Sequence, residues 1–316
     1  MLKIFRHWRV APFIGQGCRA GALAGAAALV FSPVWCAHAQ ARDLSQRQTL
    51  AQGYRLQGDS APELTHEATY ADLVDMAGAA QLVLRAKVRK QIEVEAERSP
   101  GLRAGFVRLY IEADTAALLA GAAPIGASVR YLVDVPRSAK GRAPKLKKRE
   151  MLLFAHSVPG RIGEIQLVGD MAQLDWSPAL EARVRPILTD LVAPDSPPVI
   201  IGIRDALAVP GNLAGESETQ LFLSTKGDGP VSITVIRRPA QMPVWGVSWT
   251  EIIDQAARPP QRGTLAWYRL ACFLPPALPG EANLSRDAKS RAQAAADYRF
   301  VMRQLGPCPR NRRAAP

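Results

Sequence analysis

From Leu82 the chain falls into a two-residue rhythm that only an extended strand can use. Leu82, Leu84, Ala86, Val88, Ile92, Val94 and Ala96 share one face, while Arg85, Lys87 and Arg89, then Glu93, Glu95 and Glu97, occupy the other. Side chains of a strand point alternately to opposite faces, so the pattern predicts one long strand, buried on one side and wet on the other. Strands of that length are the ones that coil around small barrels. Shorter alternating stretches predict further strands at Val107/Leu109/Ile111, at Ala127/Val129/Tyr131/Val133/Val135, at Met151 to Ala155 and at Glu164 to Val168. Five such strands predict a barrel, preceded by a short helix from Tyr70 to Ala77.

Helical spacing then takes over. Ser177 and Pro178 are favourable at a helix start, and Leu180, Val184, Ile187, Leu188 and Leu191 fall on one face. Pro186 is expected to kink this helix. The run Ala193-Pro-Asp-Ser-Pro-Pro198 ends it and reads as a boundary. Beyond it, strands are predicted at Val199 to Ile203, Thr219 to Leu223 and Val231 to Val235, the last two joined as a hairpin around Lys226-Gly-Asp-Gly229. Trp245, Val247 and Trp249 form one side of another strand. Helices follow from Thr264 to Leu274 and from Ser285 to Leu305, the latter with Ala288, Ala292, Ala295, Met302 and Leu305 as its buried stripe.

The segment Gln81-Leu-Val-Leu-Arg-Ala-Lys-Val88 is similar to the opening strand of netrin-like domains, the OB-type barrel of the tissue inhibitors of metalloproteinases. Arg149-Glu-Met-Leu-Leu-Phe-Ala-His156, Gly163-Glu-Ile-Gln-Leu-Val168 and Leu174-Asp-Trp-Ser-Pro178 resemble the later strands and the exit of that barrel. The resemblance covers about residues 70 to 192 and implies an OB-type barrel with a protein-binding role. It does not carry inhibition across, because those inhibitors present a terminal cysteine to the protease metal. No cysteine lies between Ala37 and Ala271. The later part, including Asn212-Leu-Ala-Gly-Glu-Ser-Glu-Thr-Gln220 and Trp245-Gly-Val-Ser-Trp249, resembles uncharacterised exported bacterial proteins, which implies no activity.

The amino-terminal residues have the layout of a signal peptide. Lys3, Arg6, Arg9 and Arg19 precede an uncharged small-residue run from Ala20 to Val34. That run is too short for a membrane span and is interrupted by Ser32 and Pro33. Small residues allow cleavage before Gln40 or before Arg42. Trp35 is too large for a lipobox, so Cys36 is not read as a lipid-attachment site. Cleavage after residue 41 removes four Lys/Arg and no Asp/Glu, lowering the formal charge from +12 to +8. A basic protein outside the cytoplasm meets anionic surfaces. Cys18 and Cys36 leave with the signal, and in an oxidising compartment Cys272 and Cys308 are expected to form one disulfide.

Catalytic patterns are sparse. His66 and His156 are the only histidines after the signal, and there is no H-E-x-x-H, G-x-S-x-G, S-x-x-K or P-loop pattern, so neither metal nor cofactor is expected. Glu216 and Glu218, two apart, are the candidate carboxylate pair for glycosidic chemistry, set against an exposed turn or strand edge. His156 is read as a structural histidine on a strand rather than a base. The sharpest local feature is cationic. Arg137, Lys140, Arg142, Lys145, Lys147, Lys148 and Arg149 occur with no acid among them, predicting a mobile loop that can neutralise phosphates. Arg310, Arg312 and Arg313 form a second basic group, read as a disordered tail. Trp245, Trp249, Trp267, Tyr268 and Tyr298 suit either core packing or, if exposed, sugar stacking.

These signals predict an α+β, mainly β protein: a signal peptide (1–41), a weakly ordered leader (42–68), a five-stranded OB-type barrel with flanking helices (69–193), a linker (194–198), and a second antiparallel β domain with C-terminal helices (199–316). The expected function is that of a periplasmic or secreted, non-enzymatic binding protein of the cell envelope. Its partner would be a protein or an anionic component such as lipopolysaccharide or peptidoglycan, with nucleic acid a lesser possibility. A cell-wall glycoside hydrolase and a protease-inhibitor-like module are the alternatives. No transmembrane segment is expected after cleavage.

Overall fold

The structure is a computed structural model that describes residues 67–121, 125–227, 229–250 and 257–312. The expected signal peptide and nearly all of the expected leader, His66 included, lie outside the described residues. The fold is α+β and mainly β, with antiparallel sheets and few helices. Helix α1 (Tyr70–Ala79) starts at Thr69, whose hydroxyl accepts the Asp72 N–H while the Asp72 carboxylate accepts the Thr69 N–H. Strands β1 (Leu82–Glu93), β2 (Phe106–Ala120), β3 (Ser128–Pro136), β4 (Glu150–Ser157) and β5 (Ile165–Leu167) follow, in the sheet order β3-β2-β1-β4-β5. Strand β6 (Gln173–Asp175) also pairs with β4 and leads into helix α2 (Pro178–Val192), capped by Ser177.

The second sheet is a meander, β7 (Ile200–Pro210), β8 (Ser217–Thr225), β9 (Val231–Arg237) and β10 (Val244–Ser248), with neighbours paired in chain order. Helices α3 (Leu265–Ala271) and α4 (Ala288–Leu305) complete the described chain. Among the described residues no helix is long and apolar enough to cross a membrane.

Three sequence expectations are corrected here. The first sheet is not a closed barrel: β3 and β5 meet at one parallel bridge, Arg130–Glu164. A β5 of three residues is too short to carry a ladder along β3. Next, the long strand does not keep one inward face to Ala96. A bulge between Val88 and Lys90 makes Arg89 an extra residue, and the strand ends at Glu93. Parity therefore flips: Gln91 now stands opposite the buried Ile111, and Ile92 faces solvent at 43% exposure. The inward Gln91 is satisfied by donating to Pro144 O at 2.7 Å and accepting the Leu146 N–H at 2.8 Å. The buried stripe of α4 is also rotated: it runs through Ser290, Ala294, Asp297, Tyr298, Val301 and Leu305, with a carboxylate in its middle. Helix α2 continues past Pro186, which lies on its exposed side.

Two apolar clusters hold the fold. One lies inside the curl of the first sheet, with Leu84, Leu109, Ile111, Tyr131, Met151 and Leu153. The other takes Leu152 and Phe154 from the opposite face of β4 and packs them with α1, α2, the second sheet and both C-terminal helices. Strand β4 is thus buried on both sides, which is why Met151 to Ala155 reads as an unbroken apolar run. The 194–198 segment connects two sheets over a common core, and the described residues belong to one compact unit.

Candidate functional site

The bulge in β1 turns side chains into a cleft on the described surface. After it, the outward residues of three neighbouring strands fall into cross-strand rows. Ile92 stands beside Tyr110 and Tyr110 beside Leu132, so β1, β2 and β3 each give one apolar side chain to a single row. Leu132, at the middle of the edge strand β3, is 52% exposed. The next row ends in Arg108 and Asp134, joined as a fork with both N–O distances 2.7 Å. That hydrogen-bonded carboxylate raises the Arg108 pKa further above its ordinary value. The row lies on one side of a cleft of about 1020 Å³. The opposite wall is the β4–β5 connection and β5, from Val158 to Asp170, and one end is closed by Val94, Glu95 and Arg98 beyond β1.

Charge in the cleft is balanced. Arg98, Arg108, Arg130 and Arg161 face Glu93, Glu95, Asp134, Glu164 and Asp170. Four of the five carboxylates sit in arginine pairs: Glu93 with Arg137, Asp134 with Arg108, Glu164 with Arg161 at 3.2 Å and Arg130 at 3.9 Å, and Asp170 with Arg103 at 3.4 Å. With most of these side chains engaged with one another, the arrangement suits recognition more than acid–base chemistry. Burial pushes the Tyr131 phenol upward, and its hydroxyl donates to Gln173 Oε1 at 2.7 Å. No group of three His, Cys, Asp or Glu side chains suited to a metal occurs among the described residues.

The cationic segment lies beside this cleft, not in it, touching it where Arg137 pairs with Glu93. The segment is anchored, correcting the expectation of a mobile loop. Leu146 is buried under the first sheet at 4% exposure. Val88 N–H donates to Arg149 O at 2.9 Å, and Lys148 N–H to Val88 O at 2.8 Å. Arg149 pairs with Asp175 at 2.5 Å. Lys140, Arg142, Lys145, Lys147 and Lys148 are exposed and have no carboxylate partner among the described residues.

The remaining candidates disperse. Glu216 lies in the β7–β8 turn, where its carboxylate accepts the N–H groups of Asn212 and Leu213 at 3.1 and 3.2 Å. Glu218 is on β8 and accepts from Gln220 at 2.9 Å. The two do not face each other across a cleft; one closes a hairpin and the other decorates a sheet. His156 is half-buried on β4, opposite Gln166. Trp245, Trp267, Tyr268 and Tyr298 are all core residues, so they offer no exposed stacking platform, and Trp249 packs against the same core. Cys272 and Cys308 are bonded, with Cα atoms 5.3 Å apart. The tail reading is corrected for Arg310, which pairs with Asp75, and Arg312, whose N–H donates to Asp72 at 3.1 Å; Arg313 lies outside the described residues.

Sequence reasoning missed the row Ile92–Tyr110–Leu132. For Tyr110 and Leu132 the available signal was that they sit out of phase with the inward residues Leu109, Ile111, Tyr131 and Val133, whereas Ile92 is in phase with its strand's inward face and only the bulge turns it out. No protein-family model matches the chain, and no curated protein matches it.

Proposed function

We propose that this protein is an exported, non-enzymatic binding protein of the cell envelope, periplasmic or secreted, whose first sheet is an OB-type, netrin-like module gripping a protein partner. The observation that carries this reading is the apolar row Ile92–Tyr110–Leu132 in a cleft whose charges are mostly paired. Apolar side chains rimmed by polar groups are the anatomy of a protein-binding patch. The OB-type assignment is supported by the sheet order and by the approach of β3 to β5 at Arg130–Glu164. OB-type barrels are commonly partly open and bind on the face of their second and third strands, flanked by the first and fourth connections. Here those are the strands and connections that line the cleft. Export is supported by the amino-terminal charge and apolar pattern and by the Cys272–Cys308 bond, which suits an oxidising compartment.

Placing a photo-crosslinking phenylalanine analogue at Leu132 in the producing cells should give a discrete protein adduct. The same probe at Val192, exposed on α2, should not. Matching patterns from both positions, or no adduct at Leu132, removes the reading.

A second reading rests on the five exposed cations Lys140, Arg142, Lys145, Lys147 and Lys148, held out by an anchored loop. We assign them to an anionic envelope component. Affinity for purified lipopolysaccharide should fall more than tenfold between roughly 50 and 200 mM salt, and the five-site glutamine variant should lose that salt response. A flat salt profile in the parent protein counts decisively against this role.

A further inference from the structure

The backbone edges of the two cleft walls indicate what kind of chain the cleft grips. In an antiparallel pair, alternate residues turn their N–H and C=O groups toward the partner strand and away from it. Val94 N–H donates to Arg108 O, so β2 points the backbone groups of Arg108, Tyr110 and Glu112 toward β1. Their cross-strand partners Asp134, Leu132 and Arg130 correspondingly aim away from β2, into the cleft. Arg130 N–H is taken by Gly163 O at 2.8 Å, beside the single bridge between β3 and β5. Past that bridge no ladder continues to Leu132 and Asp134 among the described residues.

The facing wall is complementary. Val158 N–H donates to Glu164 O and Val168 N–H to Phe154 O, so Glu164, Gln166 and Val168 are the residues turned toward β4. The edge carried by Ile165 and Leu167 points toward β3. An unpaired edge is a template for strand pairing, and here two such edges diverge around one cleft lined by both.

We propose that the cleft accepts an extended segment of a partner protein as an added strand between β3 and β5, completing the sheet that the short β5 leaves open. This rests on the protein-binding reading above and names its ligand class. Backbone pairing supplies affinity in this mode, and pockets for alternate side chains supply selectivity. Alternate residues of the incoming strand would meet Leu132 on one face and Tyr131 and Val133 on the other. Four residues of strand span about 13 Å. Because the cleft's arginines and carboxylates are balanced and mostly paired, the favoured segment is apolar and neutral-polar in alternation, not polyanionic.

The test uses a displayed library of random twelve-residue peptides panned on the full chain, with a Tyr110→Ala/Leu132→Glu protein as counter-selection. Peptides kept by the parent alone are resynthesised with an N-methyl group at each central position in turn. Insertion between two edges uses N–H groups of both phases, so methylation at successive positions should each weaken binding more than tenfold. Binding that survives every methylation overturns strand insertion while leaving the cleft as a binding site. Sensitivity in one phase only means addition to a single edge and also overturns it. If no peptide distinguishes the two proteins, the protein-binding reading itself fails. A self-associated dimer that the selected peptide disperses would put a second copy in the cleft in place of a foreign partner.

Discussion

Replacing Asp297 by alanine is expected to lower the unfolding free energy by about 3 kcal/mol. Its carboxylate is fully buried in α4 and accepts from the Thr219 hydroxyl of β8 at 2.6 Å, the Arg237 guanidinium of β9 at 2.6 Å and Gln293 at 3.0 Å. Removing one member of a buried pair costs more than the pair contributes, because the other members lose a partner in a place that water reaches poorly. Arg237 keeps 30% side-chain exposure, which puts the estimate at the lower end of that class. Asp297→Asn retains an oxygen for Thr219 and should cost less, about 1–2 kcal/mol. Urea denaturation of both variants, and a double-mutant cycle with Arg237→Met, measure this directly. Two variants within about 0.5 kcal/mol of the parent, the ordinary range of surface changes, would mean the network does not join α4 to the second sheet.

Asp297 also marks the limit of what the sequence could disclose. Most strands were legible because a half-buried strand must alternate, and burial alternates in β2 from Phe106 to Ala113, in β3 from Ser128 to Val133 and in β8 from Glu218 to Thr225. The stripe of α4 was misplaced because a reading that seeks apolar residues passes over Asp297 and Ser290, whose burial is made tolerable by partners distant in sequence. The bulge at Arg89 had the same character. It depends on how β1 pairs with β2, and one extra residue moved Ile92 from the expected core to the cleft.

The candidate site was legible only in its charged part. Seven cations in thirteen residues stand out from sequence alone, but Leu146 inside that run, whose burial anchors the loop, looks like any other residue between two lysines. The apolar row could not be read forward, since its members are 18 to 22 residues apart in the chain and become neighbours only through strand register. Glu216 and Glu218 illustrate the converse. Short spacing made them conspicuous, yet Glu216 is engaged by the backbone of its own hairpin.

Breaking the Cys272–Cys308 bond should cost about 3–4 kcal/mol in the chain-entropy account, given its sequence separation of 36. The effect should also be local, because the bond fixes the start of a tail that crosses back onto α1. There Thr69 donates to Pro309 O at 2.9 Å, Asn311 and Arg312 donate their N–H groups to Asp72 at 3.0 and 3.1 Å, and Arg310 pairs with Asp75. Asp72 is itself the capping-box carboxylate of α1, so the tail and the helix start share one acceptor. Severing the bond gives the tail more freedom to leave, and α1 then loses contacts that hold it against α3, including the hydrogen bond from Tyr268 to Asp75. A Cys272→Ser/Cys308→Ser protein should therefore unfold at lower urea and be cut by trypsin after Arg310 faster than after Arg269, which lies within α3. If that variant keeps the parent's midpoint and its tail resists trypsin, the side-chain contacts hold the tail without the disulfide, and the covalent link has no structural role there.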